Sequence, residues 1–228
     1  MPVIDTMRVA LLFLLTLSGC NPSGEKQKED KADMGQNPPF YTNADNVTAI
    51  RYEDFTLFVE HVVFYDGEGY LNQVNRDTVN LYSELGEVIE NRKIYVVSEV
   101  LENIKIEQRY QTTAGISLEG ELCELHDWKH YESGWRPLIQ HKPGAFTTLS
   151  YTEEEGCRFP YITPEEYREA IEQHCGGNFA KEILKITSVT AHPGLVAISK
   201  YYFRITGTDK GTGEKTEYML TVNLPLSC

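Results

Sequence analysis

The densest group of reactive side chains is His126-Asp127-Trp128-Lys129-His130. On a helix, His126 and His130 would share a face one turn apart and could ligate a metal. The flanking residues read instead as a strand or hairpin, where four residues span about 13 Å at ~3.3 Å each. That is too far for one ion, so the pair reads as surface histidines, and no metal is expected. Trp128, Tyr131 and Trp135 gather round the same turn. Exposed aromatics of this kind stack on a sugar or a protein partner, which makes the hairpin the candidate partner-contact surface; cross-strand packing is the competing use of the same rings. Glu153-Glu154-Glu155 lacks the residue order of a calcium-binding loop and reads as a solvated charge run. Gly213-Glu214-Lys215-Thr216 fails the phosphate-loop spacing, because Glu214 separates the glycine from the lysine, and reads as a hairpin loop. Motifs for nucleophile elbows, zinc proteases and dinucleotide binding are missing from the sequence. No catalytic residue and no cofactor is therefore assigned. Acidic residues are too numerous for any one carboxylate pair to be singled out.

One cysteine carries chemistry of a different sort. Residues 9–17 are an apolar run that begins just after Arg8, and Leu17-Ser18-Gly19-Cys20 closes it. The run is too short for a bilayer span, which takes about 20 residues, and fits the apolar part of a secretory signal. The four closing residues resemble the lipobox of bacterial lipoproteins. The resemblance covers residues 1–20 only. It implies that residues 1–19 are a signal peptide, that cleavage leaves Cys20 first, and that fatty acyl chains such as palmitate anchor it permanently. It also places the chain at the bacterial cell envelope, lipid-anchored and facing the periplasm. Asn21 after the cysteine resembles outer-membrane sorting, which favours the outer over the inner membrane.

Cutting before Cys20 removes one Asp and one Arg, so the formal charge stays at −13. An acidic balance argues against nucleic acid, which attracts Lys and Arg clusters, and against electrostatic binding to anionic lipid. The membrane is thus a partner through the anchor alone. The expected macromolecular partner is another envelope protein with a basic face. Four further cysteines, Cys123, Cys157, Cys175 and Cys228, read as two disulfides in an oxidising compartment. The pairing chosen is Cys157–Cys175, which flank one helix, and Cys123–Cys228, which holds the C-terminal tail.

The elements that would position these groups follow from periodicity. Residues 20–46 read as the lipidated cysteine and a flexible tether; about 25 such residues span roughly 25–30 Å, so the domain, residues 47–228, stands off the membrane. Apolar residues at Tyr52, Phe55, Phe58, Val59, Val62 and Val63 have helical spacing, with a strand as the competitor. Residues 77–91 look helical but carry Gly86, and residues 94–97 read as a short strand. From Ile104 the period shifts towards two, predicting a meander with turns near Gly115 and Ser133-Gly134. Thr163, Pro164 and Glu166 predict a capped helix that Gly176-Gly177 ends. A second meander follows over 183–190, 195–205 and 218–224.

The halves 50–140 and 160–228 share this order and some spacings. The expected fold class is therefore α+β, with antiparallel sheets each packed with a helix, as two related helix-plus-meander units. The architecture is similar to cystatin-like or nuclear-transport-factor-2-like folds, an analogy that does not fix function. The leading functional expectation is a non-enzymatic protein-binding module of inhibitor or immunity type. The alternative is a carboxylate-dependent hydrolase of cell-wall material, working in a cleft beside Trp128 and Trp135.

Overall fold

A computed structural model describes residues 41–44, 46–64, 72–75, 77–118, 121–184, 187 and 194–225. Cys20, the signal segment and Cys228 lie outside the described residues. The described part falls within one unit, Gln36–Cys228. It is mostly strand, with three short helices.

Six strands form the first sheet: β1 (Tyr41–Ala44), β2 (Val47–Arg51), β3 (Thr56–Glu60), β6 (Lys93–Val97), β11 (Ala145–Thr147) and β10 (Ile139–Lys142), in that spatial order. The second sheet runs β4 (Asn72–Asn75), β5 (Thr78–Tyr82), β13 (Lys215–Asn223), β12 (Gly194–Asp209), β7 (Leu101–Leu118) and β8 (Glu121–Leu125). The short β9 (Arg136–Pro137) also pairs with β7. The helices are α1 (Glu153–Gly156), α2 (Pro164–His174) and α3 (Gly177–Ile183).

The two sheets curl round one core. Alternate residues point inward, as the two-residue period of a strand requires. Ile50, Leu57, Val59, Ile94 and Phe146 of the first sheet meet Tyr110, Tyr201, Phe203, Ile205 and Leu220 of the second. Tyr52 stacks on Phe55 with ring centres 4.5 Å apart, and Tyr218 packs edge-on to both. A second, smaller core lies under α2, where Tyr167, Ala170 and Ile171 cover Ala114, Ile116 and Leu125.

The expected helix-packed α+β class is therefore overturned: sheet covers sheet. The stretch 52–63 contains β3, because Leu57 and Val59 point into the core while Phe58 lies half-buried on the other side. Seven apolar residues in twelve admit both readings, helical through Tyr52, Phe55, Phe58, Val59, Val62 and Val63 and extended through Phe55, Leu57 and Val59, and the facing sheet selects the extended one. Residues 77–91 begin as β5 and then turn, with Gly86 at φ +87°. Gly115 is no turn; β7 runs straight through it, paired with β12 from Ile116 opposite Gly194 to Leu101 opposite Asp209. The segment starting at 183 is no strand at its outset, since Ile183 ends α3. Nor do the halves repeat. β5 lies parallel beside β13, and β7 lies beside β12, so elements from the two halves interleave in one sheet. Strand pairing also begins earlier than expected, at Tyr41.

The helix over 164–174 forms as read. Thr163 Oγ1 accepts from Glu166 N, the Glu166 side chain accepts from Thr163 N, and Pro164 opens the first turn. The disulfide pairing differs. Cys123 on β8 bonds to Cys175, the C-cap of α2, with Cα atoms 5.8 Å apart. Cys157 is exposed and free. The apolar face of α2 lays its C-terminus on β8, which carries Cys123; α1 is drawn instead towards the large core by Phe159.

Candidate functional site

The segment 126–138, singled out for its aromatics, runs antiparallel along the edge of β7. Thr112 N donates to Tyr131 O, Ser133 N to Tyr110 O, and Leu138 N to Ile106 O. Asp127 and Lys129 adopt positive φ, 60° and 40°, which bends the chain between β8 and this edge. The bend sends the three aromatics to three places. Trp128 packs on Tyr167 in the small core, ring centres 6.3 Å apart. Tyr131 packs between Tyr110 (5.9 Å) and Phe159 (5.5 Å) against the large core. Trp135 alone lies on the outer face of the seven-stranded sheet. The structure thus does not gather Trp128, Tyr131 and Trp135 into one contact surface.

What Trp135 meets there had not been singled out. The Arg109 guanidinium lies 5.0 Å from the Trp135 ring centre and 4.5 Å from that of Tyr202. Arg204 lies 4.6 Å from the Trp135 ring. Each guanidinium is also held by a carboxylate. Arg204 Nε and Nη2 donate to Glu107 Oε2 at 3.0 and 2.7 Å, and Arg109 Nη1 to Glu132 Oε2 at 3.3 Å. Tyr202 Oη donates to Gln111 Oε1 at 2.8 Å. Burial pushes the Tyr202 hydroxyl up, with Arg109 pulling it back. These side chains are only half-buried; Arg109 and Arg204 keep 30 % and 29 % exposure. The layer is a surface of aromatic rings and planar cations, each contact worth about 0.5–1 kcal/mol at such exposure. Its signal was present as the outward set of two neighbouring strands, Glu107, Arg109 and Gln111 beside Tyr202 and Arg204.

Glu107 and Glu132 thus each hold one of the two arginines that flank Trp135. Among the described carboxyl groups that move, Glu166 and Asp209 both go down. Lys129 Nζ, 2.6 Å from Glu166 Oε1, lowers the first, helped by Thr163 N; the Thr212 N–H lowers the second. His126 and His130 face separate carboxylates, Glu124 at 3.5 Å and Glu132 at 3.8 Å. Among the described residues no three His, Cys, Asp or Glu side chains gather closely enough to hold a metal ion.

The run Glu153-Glu154-Glu155 is only partly solvated. Glu155 is buried, caps α1 through Thr152, and lies 3.0 Å from Arg136 Nη1. Beside it, burial pushes the Tyr110 hydroxyl up and the Glu155 carboxylate adds to this, although that hydroxyl makes no hydrogen bond of normal geometry. This cluster ties α1 to the sheet edge and is enclosed by Tyr131 and Phe159. Elsewhere, a cleft of about 510 Å³ between the β7–β8 hairpin and α3 is lined by Leu118, Glu121, Asn178, Lys181 and Glu182. None of the aromatics or histidines singled out in the sequence reaches it. No family model, curated protein or solved structure matches the chain.

Proposed function

We propose that this chain is a lipid-anchored protein of the bacterial envelope that acts as a non-enzymatic binding module. Its partner is another envelope protein with a basic face, in the manner of an inhibitor or immunity-type lipoprotein that blocks a secreted effector. Support for the anchor comes from Leu17-Ser18-Gly19-Cys20 and the apolar run before it. Support for a basic partner comes from the −13 charge, part of which is displayed by exposed Glu153, Glu154, Glu165, Glu169 and Glu172 on α1 and α2.

The observation that carries the binding reading is the layer in which Trp135 is stacked against Arg109 and Arg204. Trp, Tyr and Arg dominate interface hot spots, and side chains already locked in place lose little freedom on docking. The test is capture of envelope proteins by the full-length chain and by its Trp135→Ala variant. A hot spot of about 2 kcal/mol predicts roughly 30-fold weaker capture by the variant at unchanged fold. Equal capture by both, or capture of nothing by either, overturns the reading.

A further inference from the structure

The first sheet also has an outer face, which carries both apolar and basic side chains. Phe58 and Tyr95 are cross-strand neighbours pointing away from the core, both half-buried. Val97 and Ile139 flank them, 59 % and 55 % exposed. The formal charges on this face are Arg51, Lys93 and Lys142 against Glu60, which lies 4.0 Å from Lys93. In a chain of net charge −13, this face combines exposed apolar side chains with three basic residues and one acidic one.

We propose that the outer face of the six-stranded sheet lies against an anionic lipid surface. Aromatic rings flanked by Lys and Arg suit the headgroup region of a bilayer. The inference rests on the lipid-anchor reading, and the position of the anchor favours a lipid occupant over a protein. Only 20 residues separate Cys20 from Tyr41, where β1 enters as one edge of this same sheet. A flexible tether of 20 residues would span about 25 Å and would give the face an effective concentration near the mM range. Weak intrinsic affinity then suffices. The overall negative charge does not oppose this, because charges beyond about 8–10 Å are screened at physiological salt. The exposed acidic side chains Glu165, Glu169 and Glu172 lie on α2, which packs on the other core. The whole-chain charge on its own argues against anionic lipid; the local set on this face, Arg51, Lys93 and Lys142 against Glu60, does not.

The experiment uses the full-length lipidated protein in vesicles of phosphatidylethanolamine and phosphatidylglycerol that carry a photoactivatable headgroup. Intact mass first shows whether Cys20 is acylated; an unmodified mass overturns the anchor reading separately. Cross-links are expected to concentrate on the peptides holding Phe58, Tyr95–Val97 and Ile139, and to fall in vesicles of phosphatidylcholine alone. Each basic contact at an anionic surface strengthens binding about fivefold. The Lys93→Glu variant should therefore lose at least that factor in cross-link yield, while Lys181→Glu on α3, whose Phe179 and Ile183 pack in the small core, should not. Both side chains are exposed, so both variants keep the fold. Cross-links spread evenly, or centred on the Trp135 layer, overturn the proposal. So does protection of this face by an added envelope protein in the absence of vesicles, which would reassign it to a protein partner.

Discussion

Replacing Cys123 and Cys175 by serine removes the bond that ties β8 to the end of α2. The two cysteines are 52 residues apart. Closing a loop of that length restricts the unfolded chain by about 14 cal/mol/K in the chain-entropy treatment, or about 4 kcal/mol at 25 °C. Domain stabilities lie around 5–15 kcal/mol, so the loss is a large share of the total. Because α2 still buries Tyr167, Ala170 and Ile171 without the bond, the double variant should fold, with a lower urea midpoint and a steeper dependence on urea, since the uncrosslinked unfolded chain exposes more surface. Cys157→Ser touches no bond and should leave the midpoint where it is. Peptide mapping under non-reducing conditions supplies the direct check. A Cys157–Cys175 peptide, or a Cys157→Ser variant as destabilised as the double one, would refute the placement of α2 on β8.

Three other perturbations probe the fold. Ile171→Ala leaves a hole in the small core, where Ile171 is fully buried, and should cost about 2–5 kcal/mol in urea unfolding; a cost below that range would show that α2 does not pack there. Gly144→Ala places a Cβ 2.6 Å from Val96 O at φ +75°, so the β10–β11 hairpin should lose about 1–3 kcal/mol, whereas Gly134→Ala, with open space around it, should not. Burial raises the hydroxyl pKa of Tyr52, Tyr110, Tyr201 and Tyr218 above the ordinary 10. Such a shift contributes stability that is fully present below pH 10 and is lost as pH rises towards the folded values. Tyrosinate absorbance should therefore show these four titrating only as the protein unfolds; reversible titration of all 14 tyrosines near pH 10 in the folded state would contradict their burial.

Legibility was greatest where the signal was local. The cap of α2 depends on four consecutive turn and helix residues, Thr163 to Glu166, whose side chains bond to their own backbone. β6, β12 and β13 were legible from alternation alone, because one face of each is buried and the other is not. The stretch 52–63 was not. Its apolar spacing satisfies two periods, and nothing inside twelve residues reveals that a second sheet waits opposite Leu57 and Val59. Gly115 looked like punctuation, yet it sits in a long strand where the Tyr167 hydroxyl donates to its carbonyl. That bond joins residues 52 apart and leaves no local trace.

The candidate layer divides in the same way. Sequence by itself determined that Trp135 was worth attention, that Glu107, Arg109, Tyr202 and Arg204 stood at alternating positions, and that the chain was strongly acidic. Tertiary structure alone decided that β7 and β12 lie side by side, which brings both arginines onto one ring. It alone sent Trp128 and Tyr131 inward. It also distributed the charges, placing exposed Glu165, Glu169 and Glu172 on α2 and Arg51, Lys93 and Lys142 on the outer face of the six-stranded sheet. Composition sums over the whole chain, and alternation names a face without naming its neighbour. Which faces meet is set by strand pairing across many tens of residues, and there the burial of a common core, rather than any local preference, makes the choice.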